Sequence, residues 1–200
     1  MLAVPLRRDD IPRAAALIAR SFDDDPLLVH MLPDPSKRAS HGPVHLEPVV
    51  RMCTLHGSAW RTADFDAVAA WMPPGSWPPQ PEWIDECGFA EAGDAVGPEA
   101  LDRFHHVYGF VDGFHERAAP DPHWLLNLVG TEPGRRRRGA ASAAMAPVLE
   151  QASAAGDPCY LETFTERNVA FYERHGFDVV VSETHAPTGI GCWGMLRPGS

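Results

Sequence analysis

The feature that most constrains the fold lies between residues 124 and 145, where three different patterns follow one another. Residues 124–131 form an apolar run typical of a buried strand, and residues 132–138 form a polar loop rich in glycine and arginine. Small residues then open a helix at about Gly139. Because a helix start presents unpaired N–H groups and the positive end of its dipole, this junction predicts an anion-binding site.

The loop contains four consecutive arginines, residues 135–138, in an otherwise acidic chain. The sequence has 17 Lys and Arg against 27 Asp and Glu, a net charge of −10; without the run, 13 basic residues remain and the charge is −14. Since duplex binding depends on many distributed cations, we expect no bulk nucleic-acid binding and favour a small anion such as a pyrophosphate. The run alone leaves a solvated basic patch or a nucleic-acid tract open.

Cysteine spacing and hydropathy argue against several other classes of protein. The four cysteines are far apart, with no C-x-x-C pair and no Cys/His cluster at zinc spacing. The first residues carry no basic leader, and no apolar run reaches about 18 residues. We therefore expect a reduced, cytoplasmic protein with no disulfide scaffold, no structural metal and no membrane span.

The remaining periodicity predicts an α/β fold in one domain, because strands alternate with helices in the last third and no repeat or composition break occurs. The predicted strands cover residues 2–6, 60–62, 67–72, 124–131, 159–164, 177–183 and 190–196. The predicted helices begin at Asp9 or Asp10, cover 27–56 with interruptions around Pro33, Pro35 and Pro43, and continue with 98–116, 139–155 and 166–175. Residues 73–81 are rich in proline and are predicted to be a loop.

Two ordered motifs in the last third resemble the landmarks of the GNAT superfamily of N-acetyltransferases. Arg136, Gly139 and Ala141 match that family's coenzyme A loop, which reads Gln or Arg, two residues, Gly, one residue, then Gly or Ala. Residues 161–177 resemble the second landmark and lie at the expected separation. Within the family, the chain length, Pro147 and a C-terminal Trp-x-Met resemble the puromycin N-acetyltransferase group, most clearly over residues 123–200.

The resemblance implies a central mixed, mostly antiparallel sheet flanked by helices, with strands that splay at the acetyl-CoA site. It implies one domain over residues 1–200. Residues 1–117 would mainly form acceptor-side elements, and residues 118–200 would form the acetyl-CoA-binding core. The protein would be a monomer or a homodimer.

The same resemblance implies which residues bind acetyl-CoA. The pantetheine arm would run along the backbone of Val129, Gly130 and Thr131, as though it extended the sheet. Arg136 would stand at the entrance of the loop. The pyrophosphate would be held by the amides of Arg137, Arg138, Gly139, Ala140, Ala141 and Ser142.

Two further positions are implied to lie beside the cofactor, namely Asn168 and Phe171. Three positions depart from the residues usual in the family: Arg137 replaces a glycine, Thr131 a valine and His175 a leucine. None of these changes removes an essential group, but the extra arginines could alter how tightly the phosphates are held.

The resemblance implies direct attack of a neutral amine on the acetyl thioester, without an acyl-enzyme. A backbone N–H near Val129 would polarise the carbonyl, and the hydroxyl of Tyr172 would protonate the sulfur of the leaving group. The alternative for Tyr172 is a packing role beside Phe171.

The general base is less defined, because Leu125 stands where some members of the family carry a glutamate. Glu162 is the preferred base, since an acid at a strand end has no other explanation. Asn127 and His123 lie on one strand face by the two-residue alternation and could instead orient a chain of waters. A structural role is the alternative for each of the three.

Acidic and aromatic residues in the first half are the candidates for acceptor binding. Asp24 and Asp25 could attract a cationic amine, with a solvated helix end as the alternative. Trp71, together with Trp77 and Trp83, could form the wall of an aromatic pocket, although tryptophan also serves as packing. The leading hypothesis is an acetyl-CoA-dependent N-acetyltransferase that acts on the primary amine of a small molecule; a non-catalytic acyl-CoA sensor and a protein N-acetyltransferase are the alternatives.

Overall fold

A computed structural model describes residues 1–120 and 122–199, and a single seven-stranded sheet runs through both halves of the chain. The strands are β1 (Ala3–Pro5), β2 (Ser58–Thr62), β3 (Ala67–Met72), β4 (Trp124–Thr131), β5 (Cys159–Thr163), β6 (Asp178–His185) and β7 (Ile190–Arg197). Their order across the sheet is β1-β2-β3-β4-β5-β7-β6. All neighbouring pairs are antiparallel except β4 and β5, which are parallel. This confirms the predicted mixed, mostly antiparallel sheet.

Helices cover both faces of the sheet. They are α1 (Ile11–Ser21), α2 (Pro26–Met31), α3 (Pro35–Leu55), α4 (Pro81–Cys87), α5 (Phe89–Val96), α6 (Pro98–Ala118), α7 (Ala140–Ala155) and α8 (Val169–Glu173). Within the residues that the structure describes, no helix combines the length and the apolar character needed to cross a bilayer.

The helix α3 corrects one prediction. We expected an interruption at Pro43, but α3 continues through both Pro43 and Pro48. Each proline removes one helical hydrogen bond. The helix nevertheless persists because its buried face, which includes Leu46 and Val50, packs against α1 in a common core.

The sheet separates two apolar cores. On one face, α1 and α3 bury Leu17, Ile18 and Val50, each at most 1% exposed. On the other face, α7 buries Ala144 and Met145, both fully inaccessible to solvent. The strand β3 is buried along its whole length and supplies alternate side chains to the two cores. The centre of the sheet is therefore a rigid support for the groups on β4.

Strands β4 and β5 diverge after a short parallel pairing. Only residues 124–126 of β4 pair with residues 159–161 of β5, although β4 continues to Thr131. On the other side of β4, Ala70 pairs with Leu128 while Trp71 pairs with Leu126, so Asn127 is the extra residue of a β-bulge. The bulge and the early end of pairing leave one edge of β4 open, which is the splay that the family resemblance implied.

Candidate active site

A cleft of about 800 Å³ opens where β4 and β5 diverge. It extends from the start of α7, past the open edge of β4, to the side chains of α2, α3 and α6. The predicted site residues that line it are Asp24, Asp25, Val129, Thr131, Arg136, Arg137, Gly139, Ala140, Ala141, Ser142, Glu162, Asn168, Phe171 and Tyr172. Three predicted site residues, Gly130, Arg138 and Trp71, are not in its lining.

The start of α7 has the geometry of an anion site. Gly139 occupies the N-cap position with φ of 81°, and no side chain among the described residues caps the helix. Arg137 also has a positive φ, 63°, which is uncommon for a residue with a side chain. Left-handed residues next to a helix start turn successive N–H groups toward one concave point. The unpaired amides of the first turn, Ala140 and Ala141 among them, therefore border the cleft.

The four arginines of the run have different environments. Arg135 forms an ion pair with Asp66 at 3.5 Å, and the guanidinium of Arg136 donates to the carbonyl oxygen of Ser21 at 2.7 Å. Arg137 and Arg138 are exposed and form no ion pair with any described residue. Arg136 thus ties the loop to the end of α1, and Arg137 is the arginine of this run that lines the cleft without an ion pair to any described residue.

The backbone of β4 next to α1 is used for packing. A Cβ on Gly130 would lie 3.1 Å from the Cα of Ile18, so glycine allows α1 to approach the strand. The N–H of Thr131 donates to the hydroxyl of Ser21 at 3.1 Å. The close approach of α1 therefore explains why residue 130 is a glycine. The amide of Thr131 already has a hydrogen-bond partner.

The amide of Val129 lies on the same edge of β4 as that of Thr131, two residues away. The N–H of Glu132 donates to the carbonyl of Asp66, which precedes β3, at 2.9 Å. Since N–H groups of an antiparallel strand alternate between its two edges, the N–H of Val129 points away from β3 and toward the splay. Because the N–H of Thr131 is already bonded to Ser21, Val129 offers the available backbone donor on this edge of β4.

Glu162 is a buried acid on the opposite side of the splay. Burial raises the pKa of Glu162 to about 8; interaction with Tyr160 opposes the rise and the charge of Asp112 adds to it. The Nδ1 of His115 lies 3.9 Å from Oε1 of Glu162, too far for a hydrogen bond. Burial, and next the charge of His123, lowers the pKa of His115 to about 4. Between about pH 4 and pH 8 the two groups are therefore a neutral pair and not an ion pair.

Tyr172 is nearly buried in the cleft wall, with 6% of its surface exposed. Burial raises the pKa of its hydroxyl, and the nearby charge of Asp25 raises it further. The phenol therefore keeps its proton at neutral pH. Its neighbour Phe171 packs edge-on against it at 5.2 Å, and Asn168 donates to the hydroxyl of Thr163 at 3.2 Å.

One contact in the cleft was not anticipated from the sequence. The ring of His175 bonds through Nδ1 to the carbonyl of Phe171 at 2.8 Å and through Nε2 to the hydroxyl of Ser142 at 2.9 Å. Because a carbonyl only accepts, Nδ1 carries the proton. In the neutral ring Nε2 then accepts from Ser142. The departure from the family's leucine was visible in the sequence, but its partner on α7 was not.

The acceptor-side candidates have other partners. Asp24 forms an exposed ion pair with Arg167 at 2.7 Å, which joins the turn before α2 to the segment before α8. Asp25 caps α2 by accepting from the amides of Leu27 and Leu28, at 3.0 and 3.4 Å. Burial raises the pKa of Asp25 to about 6. The carboxylate of Asp24 is thus already paired, and Asp25 combines a structural role with a place in the cleft lining.

Trp71 requires a correction. It lies on β3 with no exposed surface and packs in the core under α7, where its ring cannot contact a ligand. Trp77 stacks on His115 at 5.0 Å, and Trp83 stacks on His56 at 4.6 Å; neither lines the cleft.

The fold and the cleft together define an acetyl-transferring enzyme. The model of the acetyltransferase (GNAT) family matches residues 58–177, which include β2 to α8. The chain belongs to this family, whose members use acetyl-CoA as the acyl donor and act on amines.

Individual relatives agree with this assignment. An uncharacterized N-acetyltransferase of Schizosaccharomyces pombe is 25% identical over 187 residues, which cover 88% of this chain and 74% of the relative. A solved structure described as histone acetyltransferase HPA2 and related acetyltransferase, from Corynebacterium glutamicum, superposes with a TM-score of 0.68 at 20% identity, over 100% of this chain and 96% of that one. A polyamine N-acetyltransferase of Drosophila melanogaster superposes with a TM-score of 0.61 at 12% identity, over 98% and 99%. At these identities, the two structures show the fold alone.

Proposed function

We propose that this protein transfers an acetyl group from acetyl-CoA to the primary amine of a small molecule, by direct attack within a ternary complex. The observation that carries the proposal is the continuity of one cleft. It joins an uncapped helix start, the free N–H of Val129, a buried carboxyl and a buried phenol. These are the groups that acetyl transfer from a thioester to an amine requires.

The residues of the cleft fit acetyl-CoA. The first-turn amides of α7 and the unpaired guanidinium of Arg137 suit a pyrophosphate. The open edge of β4 at Val129 suits the amides of the pantetheine arm, and Asn168 and Phe171 border the same channel. When bound, acetyl-CoA supplies the activated acetyl thioester. Gly130, Thr131 and Arg136 contribute by fixing the loop and strand around it.

The chain's own groups can then complete the proton transfers. Glu162, in its ionised form, accepts the proton that the amine loses as the C–N bond forms. The N–H of Val129 stabilises the oxyanion, and the C–S bond breaks as Tyr172 donates its proton to the departing sulfur. One proton is gained at Glu162 and one is lost at Tyr172, so the site returns to its starting state by exchange with solvent.

A small-molecule acceptor, as in the puromycin N-acetyltransferase group, is favoured over a protein acceptor because the inner cleft is enclosed by α2, α3 and α6. A protein N-acetyltransferase and a non-catalytic sensor are the alternatives. We further propose that the whole chain is one catalytic unit, a monomer or homodimer, located in the reducing cytoplasm.

Binding and turnover test the proposed function separately. Acetyl-CoA at saturating concentration should raise the melting temperature by mass action. Release of free coenzyme A thiol should then depend on an added amine. If acetyl-CoA causes no thermal shift, both the enzyme hypothesis and the sensor hypothesis are wrong. If it causes a shift but no amine or N-terminal peptide brings about release of the thiol, the protein is a non-catalytic sensor.

Tyr172→Phe is the matched test of the acid. We expect it to lower kcat by roughly 10²-fold or more while the dissociation constant for coenzyme A changes little, because only the hydroxyl is lost. The melting temperature and the dissociation constant for coenzyme A are the controls, because a folded variant that still binds coenzyme A can lose turnover only through the missing hydroxyl. Unchanged kcat in Tyr172→Phe would contradict the assignment.

A further inference from the structure

The inner end of the cleft has an apolar wall that the acetyl-CoA residues do not explain. Three helices converge there, and each contributes large side chains. They are Leu28 and Met31 from α2, Leu46 and Val49 from α3, and Phe104 and Tyr108 from α6. Such a wall suits the carbon skeleton of a ligand, since burial of apolar surface is favourable by about 25 cal/mol per Å².

The polar groups in this wall are neutral. His45 packs edge-on against Phe104, with ring centroids 4.7 Å apart. Burial, and next the charge of His105, lowers the pKa of His45 to about 4, so the ring is uncharged at neutral pH. Tyr108 stacks on Phe104 at 4.8 Å, and burial raises the pKa of its hydroxyl. Both groups can form hydrogen bonds to a ligand, but neither can neutralise a cation.

None of the acids of the described cleft lining belongs to the three helices of the wall, although Asp25 directly precedes α2. Asp24 is paired with Arg167, and Asp25 caps α2. Glu162 stands at the splay of the sheet, on β5, and is the proposed base. No acidic residue among the described lining residues belongs to α3 or α6. One ammonium group can therefore be matched at Glu162, while a second one farther in would lie among Leu, Met and Phe without a counter-ion.

We propose, resting on the proposed function, that the acceptor is a monoamine with an apolar or aromatic body, and that the wall formed by α2, α3 and α6 rejects diamines and polyamines. The apolar body lies against the half-buried side chains of Val49, Phe104 and Tyr108, and its amine reaches Glu162. A second ammonium at the far end is excluded because burial of an unpaired charge is costly.

A matched pair of acceptors tests this directly. Hexylamine and 1,6-diaminohexane have the same carbon chain and differ in the second amine. We expect kcat/KM for hexylamine to exceed that for 1,6-diaminohexane by more than about tenfold, and 2-phenylethylamine to exceed agmatine likewise. Equal values, or a preference for the diamines, would overturn the inference while the proposed function stands.

A designed counter-ion gives the reverse test. Val49→Glu places a carboxylate on the half-buried part of α3 that lines the wall, and it should raise the diamine-to-monoamine ratio of kcat/KM by about tenfold. The control is Val44→Glu, the same change at a half-buried position of α3 that lies outside the cleft. An equal ratio in both variants, each confirmed as folded by its melting temperature, would contradict the wall as the selecting element.

A measurement of amine binding distinguishes failure of this inference from failure of the proposed function. The thermal shift caused by each amine is measured with coenzyme A present, a readout that needs no turnover. A larger shift with hexylamine than with 1,6-diaminohexane would support the inference even in a protein that releases no thiol. No difference between the two amines would overturn it.

Discussion

At the scale of single residues, the buried carboxyl of Glu162 determines how the proposed reaction depends on pH. Burial raises the pKa of Glu162 to about 8, and only the ionised form accepts a proton. After correction for the fraction of acceptor present as the neutral amine, we expect kcat/KM to rise with pH up to about 8, and Glu162→Gln to remove this rise and lower kcat by roughly 10²-fold or more. The control is Glu166→Gln, at an exposed position. A rise that persists unchanged in Glu162→Gln would assign the base elsewhere.

The same shift has a consequence for stability that does not depend on activity. Between pH 4.5 and about 8, the folded state keeps a proton on Glu162 that the unfolded state has lost, because the folded pKa is the higher one. The free energy of unfolding must then fall as the pH rises through this window, by at most on the order of 1 kcal/mol per pH unit. Urea unfolding between about pH 6.5 and 8 should show this slope in the wild type and lose it in Glu162→Gln.

Single residues also show where sequence reasoning stops. The residue types of the site followed from the motif, because a helix start with glycine and arginine has one evident chemistry. The directions in which their side chains point could not be predicted from the motif. Trp71 was predicted to line the acceptor pocket, yet it lies under α7, and Arg138 stands in the same run as Arg137 without lining the cleft. Direction depends on which face of an element the rest of the chain covers.

At the scale of elements, His175 joins α7 to the end of α8. Its hydrogen bonds to Ser142 and Phe171 fix the first turn of α7, whose amides border the cleft. His175→Phe keeps a ring next to Phe171, at present 4.6 Å away, and removes both bonds. We expect a loss of about 1–2 kcal/mol in the free energy of unfolding and a severalfold weaker binding of coenzyme A.

Urea unfolding and calorimetric titration measure the two effects of His175→Phe. Ser142→Ala is the matched variant, because it removes only the bond to α7. If the two changes act through one contact, the double variant should lose less stability than the sum of the single ones. Simple additivity would show that Ser142 and His175 do not act as a pair.

The elements of the last third could be predicted more closely than those of the middle. β4 begins and ends at the predicted residues, because an apolar run stands between proline and glycine signals. α4 and α5 were not predicted, since residues 81–96 are short, acidic segments without a clear apolar period. The inner wall of the cleft could not be predicted either. It is formed by α2, α3 and α6, which come together only in the folded chain.

At the scale of the whole molecule, charge is separated between an acidic body and a basic loop. The chain carries −10 overall, and the loop before α7 concentrates four arginines at one end of the cleft. Two of these are held by Asp66 and Ser21, so their charge serves the fold as well as the site. The loop attracts a polyanionic cofactor, while the net negative charge of the rest of the chain favours a cationic amine.

This separation predicts how coenzyme A binding responds to salt. Arg137 and Arg138 are both exposed and unpaired among the described residues, but only Arg137 lines the cleft. Arg137→Ala should weaken coenzyme A binding roughly threefold to tenfold at about 0.05 M salt, and this difference should shrink at about 0.5 M, where screening acts over a few ångströms. Arg138→Ala, the matched control, should change affinity much less because its charge acts from outside the cleft. Titration calorimetry at both salt concentrations measures the dissociation constants for coenzyme A. Equal effects of the two substitutions would mean that the loop attracts the cofactor through its total charge, without a specific contact from Arg137.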